Sequence, residues 1–200
     1  MRRTILAVSL FAVAAFLTSS AHAQNSTATA TVSPATSGHG RGVGLGAMTM
    51  LNGASGALFT WGSRGGSFHI DGFFGLHHYN AGSNTTSFGV GGRFWYHVHA
   101  ASFADFSLGG GLGFTHWTSN PGAANEDGHL DLSLEVGAQI RAFIVPNVAL
   151  IGDLGLGATF GDNDNILIGG QSFGGAGEPE GAGAGTEFLL GTLGIAYFFE

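Results

Sequence analysis

Residues 129–142 alternate between apolar side chains and polar residues or glycine, within a predicted strand of residues 129–145. A period of two places successive side chains on opposite faces of a strand, whereas a helix needs apolar residues every three or four positions. Strands of soluble proteins usually have about 5–6 residues, and strands that cross a membrane need about 9–11. The length of this segment therefore favours a barrel wall. Its apolar face contains Leu130, Leu132, Leu134, Val136, Ala138, Ile140, Ala142 and Ile144, and its other face contains Asp131, Ser133, Glu135, Gly137, Gln139 and Arg141.

The same period recurs before and after this segment, and the whole chain predicts eight strands. The predicted strands are residues 41–51, 56–62, 68–79, 86–99, 102–117, 129–145, 147–160 and 184–199. Short connections fall near 63–67, 100–102 and 145–147, and longer ones near 80–86, 118–128 and 161–183. Short turns at one end and long loops at the other are typical of barrels in bacterial outer membranes. The sequence therefore predicts an all-β, membrane-spanning, up-and-down antiparallel β-barrel of eight strands.

Closure of the barrel follows from the chemistry of the lipid. Every backbone N–H and C=O group must be paired in a bilayer, and an open sheet leaves a row of unpaired groups at its edge. The predicted outward faces carry Leu, Val, Ile, Phe and Ala, and the charged residues in the middle of the strands fall on the other face. Eight strands enclose an interior that side chains are able to fill.

The N-terminal residues have the pattern of an export signal. Arg2 and Arg3 precede the apolar run 5–17, and Ala21-His22-Ala23 matches a small-residue cleavage site. We expect residues 1–23 to be a cleaved signal peptide, residues 24–40 a flexible periplasmic linker rich in small and polar residues, and residues 41–200 the barrel.

The composition excludes several kinds of chemistry. The sequence has no cysteine, so disulfide frameworks, thiolate zinc sites and cysteine nucleophiles are excluded. A formal net charge of −7 argues against a nucleic-acid partner. The 37 glycines suggest collagen at first sight, but the three-residue period is absent and there are only four prolines.

Polar residues on the predicted inward faces form the candidate site. Two arginines among several carboxylates in a dry interior require mutual pairing, so we expect a structural network that fills the lumen. The expected pairs are Arg93 with Glu135 or Asp105, and Arg141 with Asp131 or Asp153. The alternative is a catalytic or metal site, because His97-Val98-His99 has a spacing that suits zinc or copper, yet no third ligand follows at a fixed distance. We therefore predict no catalytic, cofactor-binding or metal-binding residue and no cofactor. The predicted lumenal residues are Asp71, Arg93, His97, His99, Asp105, Asp131, Glu135, Arg141 and Asp153.

The C-terminal residues carry a resemblance to a known family. Leu193, Ile195, Tyr197 and Phe199 alternate along the last strand, which resembles the assembly signal of bacterial outer-membrane proteins, although Glu200 follows the last aromatic residue. With the export signal and eight strands, the chain resembles the small eight-stranded barrels of the OmpA, OmpX and opacity type, without a periplasmic domain. The resemblance implies a monomer in the outer membrane of a Gram-negative bacterium, with membrane lipid and the barrel-assembly machinery as partners.

The expected role is structural, or surface interaction through the loops, and two alternatives stay open. One is a narrow pore for small solutes. The other is an enzyme acting on lipid A, since lipid A deacylases are barrels of this size with a Ser–His–acid site on the outer wall. His116 is the only histidine on the outward face of a strong strand, and no serine lies two residues away from it.

Overall fold

The computed structural model describes residues 38–50, 55–81, 83–119, 127–161, 166–169 and 190–199, and in them it contains nine strands and no helix. The predicted signal peptide and residues 24–37 of the predicted linker lie outside the described residues. None of the described residues belongs to a helix long and apolar enough to cross a membrane. The strands are β1 (Gly42–Met50), β2 (Ser55–Gly62), β3 (Phe68–Ala81), β4 (Ser83–Ala100), β5 (Ala104–Ser119), β6 (Asp127–Val145), β7 (Val148–Gly161), β8 (Ile166–Gly169) and β9 (Leu190–Phe199).

The strands form one closed antiparallel sheet. Each strand from β1 to β7 pairs with the next along the chain, and β9 pairs with both β7 and β1 to close the ring. The strand β8 pairs with β7 over residues 157–160, just beyond the part of β7 that pairs with β9. Because β8 and β9 share one position in the wall, the nine segments make a barrel of eight positions. The prediction of an eight-stranded up-and-down barrel is confirmed.

The predicted bounds differ from the observed ones mainly at the long-connection end. The last strand begins at Leu190, and residues 184–189 lie outside the described residues. The predicted loop 161–183 contains β8, which sequence reasoning missed because four residues are too few to establish a period. The predicted loop 80–86 is also wrong, since β3 and β4 stay paired up to Ala81 and Ser83. The polar composition of this stretch conceals the strands in the sequence, because backbone pairing in a hairpin does not require an apolar face.

The two faces of the sheet differ in the way the alternation predicts. Apolar side chains on the outer face are exposed, as with Val136, of which 62% is accessible. Large inward side chains are buried, including Trp95, Phe143 and Phe198. Polar and charged side chains share this interior with them. The barrel therefore has an apolar outside and a mixed, filled inside, the reverse of a soluble domain.

Candidate functional site in the barrel lumen

The buried charges of the barrel lie in its lumen. Asp71, Arg93, His97, Asp105, Glu135, Arg141 and Asp153 are all buried, as are His69, Gln139 and Thr192, which contact them. Inward residues of different strands meet here because the alternation aims them at one axis. They form two networks, one around Arg93 and one around Arg141.

Arg93 extends from β4 across the lumen to three other strands. Its Nε atom forms an ion pair with Glu135 on β6, and Nη2 donates a hydrogen bond of 3.1 Å to the other oxygen of that carboxylate. Its Nη1 atom donates to Asp153 on β7 at 3.2 Å and to Thr192 on β9 at 3.0 Å. Since β4 and β9 are on opposite sides of the ring, this one side chain bridges the barrel.

Neighbouring groups hold the Arg93 side chain in place. Its guanidinium lies 4.9 Å from the centre of the Phe73 ring, within the range of a cation–π contact. The hydroxyl of Thr192 donates a hydrogen bond to Asp153, so the carboxylate and the arginine share one polar neighbour. Sequence reasoning missed Thr192, although its inward position in the alternation of β9 would have indicated it.

Arg141 forms a second network closer to the short-turn end. Its Nε and Nη2 atoms donate to the two oxygens of Asp105, at 3.1 Å and 2.8 Å, in the bidentate geometry that suits a guanidinium and a carboxylate. The two residues are direct partners across β5 and β6. The Nη2 atom also lies 3.1 Å from Nε2 of His97, whose Nδ1 donates to the carbonyl of Gly66 at 2.7 Å.

A chain of side chains runs from His97 to Asp71. Nδ1 of His69 lies 2.7 Å from Nε2 of His97, and Nε2 of His69 lies 2.6 Å from Oε1 of Gln139. The amide nitrogen of Gln139 donates to Asp71 at 3.0 Å. Because a carboxylate only accepts, Asp71 fixes the orientation of the amide. The chain therefore connects β3, β4 and β6 inside the barrel.

The observed pairing differs from the expected one in two respects. Arg93 does pair with Glu135, but Asp105 pairs with Arg141 and Asp153 pairs with Arg93. The reason is depth: alternation states which face a residue is on, while the stagger between strands decides which residues lie at the same height. Asp131 lies half-buried, opposite Thr115 and Gly161, further toward the long-connection end than Glu135.

His99 does not join the inward residues, contrary to expectation. The pairing of β4 with β5 shifts register between His97 and His99, so that His97 lies opposite Ser107 and His99 opposite Phe106. A bulge of this kind inserts an extra residue and interrupts the alternation of faces. His97 is consequently buried and His99 exposed, so the predicted His-x-His pair does not point to one site. Within the described residues no group of three or more His, Cys, Asp or Glu is arranged to hold a metal ion.

Glycines on neighbouring strands make room for the large inward side chains. A Cβ atom at Gly111 would lie 2.7 Å from Cγ of Arg93, and one at Gly109 would lie 2.7 Å from Cε3 of Trp95. Arg93 and Trp95 are the register partners of these two glycines. The glycine-rich alternation of β5 is therefore the surface against which the side chains of β4 pack.

The outer wall carries polar side-chain pairs among its described residues, namely His116 with Thr118, His78 with Thr86 and Ser55 with Thr49. Oγ1 of Thr118 lies 3.1 Å from Nε2 of His116, and the ring of Phe88 lies 5.5 Å from that of His116. Gly128, opposite Thr118 on β6, leaves the pair uncovered on that side, since a Cβ there would come within 3.5 Å of His116. Thr118 therefore places a hydroxyl group two residues after His116, at the position where the sequence has no serine.

The last strand presents one apolar face to the outside. Leu193, Ile195, Tyr197 and Phe199 are all exposed on the outer wall, and the rings of Tyr197 and Phe199 meet edge to face at 5.2 Å. The same strand closes the barrel by pairing with β1 and β7.

Solved structures similar to the chain include bacterial proteins. One is the N-terminal β-barrel domain of OprF from Pseudomonas aeruginosa (TM-score 0.47, 11% identity, covering 78% of this chain and 96% of that one). Another is a major outer membrane protein from Thermus thermophilus (0.47, 15%, 78% and 97%). A third is Neisserial surface protein A (0.43, 16%, 78% and 96%). No protein-family model and no curated protein matches the sequence. These are similarities in fold, at identities too low to carry over any activity.

Proposed function

We propose that the protein is an integral barrel of a bacterial outer membrane with a closed lumen, and that its role is structural or lies in surface interaction through its loops. The outer wall supports the membrane location. Leu45, Leu108, Val136, Leu154 and Ile195 expose apolar side chains on five different strands. In water such a belt is a liability, whereas in lipid it is the matching surface.

The bridge made by Arg93 is the observation that carries the closed lumen. The Arg93 guanidinium reaches from β4 to carboxylates on both β6 and β7 and so spans the lumen. Movement of solutes would require breaking buried ion pairs, and removing one partner from such a pair costs about 3–5 kcal/mol. The second network, around Arg141 and Asp105, lies in series with the first.

Conductance in a planar bilayer tests this proposal against a narrow pore. The refolded chain should insert, migrate differently in SDS gels before and after boiling, and give no stepwise conductance. The double variant Arg93→Ala with Arg141→Ala removes both lumenal cations. It serves as the positive control and should conduct ions. Discrete ion channels in the unmodified protein would contradict the closed lumen and favour the pore.

Export and assembly are the next parts of the proposal. Residues 1–23 would direct the chain to the periplasm and be removed after Ala23, and the C-terminal face of Leu193, Ile195, Tyr197 and Phe199 would bind the barrel-assembly machinery. Both termini would then be periplasmic. The chain would work as a monomer in contact with outer-membrane lipid, since among the described residues the strands β1 to β7 and β9 pair with a neighbour on both sides.

The pair of His116 and Thr118 on the outer wall supports a second candidate function, hydrolysis of an acyl ester in membrane lipid. A hydroxyl within hydrogen-bond distance of an imidazole has the geometry of a nucleophile and its base. Thr118 Oγ1 would attack the ester carbonyl while its proton moves to His116, and His116 would protonate the departing alcohol. Water would then release the acyl group from Thr118.

Mass spectrometry of lipid A from a strain overproducing the protein tests the enzyme. Loss of an acyl chain that depends on both His116 and Thr118 would support it. Thr118→Val is the matched variant, because it keeps the shape and removes the hydroxyl. Unchanged lipid A in the overproducing strain would exclude this candidate and leave the structural role in place.

A further inference from the structure

The residues just before β1 lie across one end of the barrel. Nε2 of His39 donates a hydrogen bond of 3.0 Å to the carbonyl of Ser102, in the turn between β4 and β5. Its ring lies 5.3 Å from that of Phe143 on β6. In the order of strands around the ring, β1 is nearly opposite this turn and far from β6. A segment attached to β1 makes both contacts only by crossing the short-turn mouth.

The backbone of Gly40 fits closely into this mouth. Gly40 is buried and has a φ of +66°, a conformation that glycine adopts without strain. A Cβ there would lie 2.8 Å from Cζ of Phe143 and 3.1 Å from Nη1 of Arg141. On the other side, a Cβ at Gly62 would collide with the Gly40 carbonyl. The segment is thus held between β2 and β6.

Two aromatic rings pack beside the Arg141 guanidinium at this mouth. The rings of Phe143 and Phe198 lie 5.9 Å apart, and the Arg141 guanidinium lies 5.6 Å and 5.8 Å from their centres. Ala149 is level with Phe143 and is 0% exposed, although it is only the second residue of β7. The rings of Phe143 and Phe198 belong to the same buried cluster as Ala149, and residues 38–41 lie against Phe143 at this end of the strand.

We propose that residues 38–41, the mouth strap, close the short-turn end of the lumen and isolate the Arg141–Asp105 pair from solution. The strap is a second closure, independent of the Arg93 bridge. This inference builds on the proposed closed lumen, but it concerns access from one end. Conductance measures whether the whole lumen is closed, whereas the experiment below measures access from one end. A result against the strap is therefore distinct from a result against the closed lumen.

Thiol labelling tests the strap, because the chain has no cysteine of its own. Ala149→Cys places a reporter behind the strap, and Ser87→Cys places a buried one toward the long-connection end. A charged methanethiosulfonate reagent is added to each refolded protein in micelles. The strap variant is His39→Ala with Gly40→Ala, and the matched control is Gly38→Ala, since a Cβ at Gly38 has nothing within 4 Å.

We expect the thiol at position 149 to be labelled slowly with the strap intact and about tenfold faster or more in the strap variant, as local opening exposes it. Gly38→Ala should leave that rate unchanged, and the thiol at position 87 should be labelled at the same rate in all proteins. Equal rates at position 149 with and without the strap would overturn the proposal, as would fast labelling in the intact protein. If the double variant does not refold, His39→Ala alone should give a smaller increase, and its absence would overturn the proposal equally.

Discussion

Arg93 on β4 and Glu135 on β6 form a buried ion pair although β5 lies between their strands. Residues of neighbouring strands meet through the ladder, but these two meet through the interior. The contact exists because Gly111 on β5, which lies between them in the register, has no side chain. Glycine at position 111 therefore leaves the space through which Arg93 contacts Glu135.

Arg93→Ala should lower the free energy of unfolding by about 3–5 kcal/mol, because it leaves the carboxylates of Glu135 and Asp153 buried without their cation. Urea unfolding of the refolded protein, followed by gel mobility, measures this. The matched variant replaces Arg93 with Met and both carboxylates with Leu, and it should regain most of the loss. Wild-type stability in Arg93→Ala would contradict a stabilising bridge.

Gly111→Ala should destabilise the barrel by about 1–3 kcal/mol, the usual cost of overpacking. The added methyl group would collide with the Gly92 carbonyl and the Cγ atom of Arg93. Gly92→Ala is the control in the partner strand, since the nearest atom to its Cβ is 3.6 Å away. The urea concentration at the midpoint of unfolding is measured for both variants and for the unmodified protein. A larger decrease in Gly92→Ala than in Gly111→Ala would refute this account.

Val136→Arg and Ile144→Arg test the position of the wall in the bilayer. Both side chains are 62% exposed on the outside of β6, but Val136 is near the middle of the strand and Ile144 near the short-turn end. An arginine should cost about 2–4 kcal/mol at the midplane and about 0–1 kcal/mol near the interface. Unfolding from lipid vesicles measures both. Equal costs would argue against a membrane midplane at Val136.

Tyr197→Ala with Phe199→Ala should reduce the amount of folded barrel in the outer membrane several-fold, because the proposed recognition face loses its aromatic side chains. Refolding of the same variant from urea into micelles should still occur, since the backbone pairing of β9 is unchanged. Trp61→Ala removes an exposed aromatic side chain elsewhere on the wall and is the control. Normal assembly of the double variant in cells would exclude this role.

The alternation of side chains determined by itself that the chain forms strands, that their length favours a barrel wall over a soluble sandwich, and which face most residues occupy. Asp71, Arg93, Glu135 and Arg141 are inward because their parity is inward, and parity is a local property of the backbone.

Only the tertiary structure decided which inward residues meet. Three contacts depend on the relative heights of different strands: Arg141 with Asp105, Arg93 with Asp153, and His39 with Ser102. Height is set by the stagger that closes the barrel and by the bulge at His97 and His99. A period of two contains no information on either, because shifting a strand by two residues preserves its faces and changes all its partners.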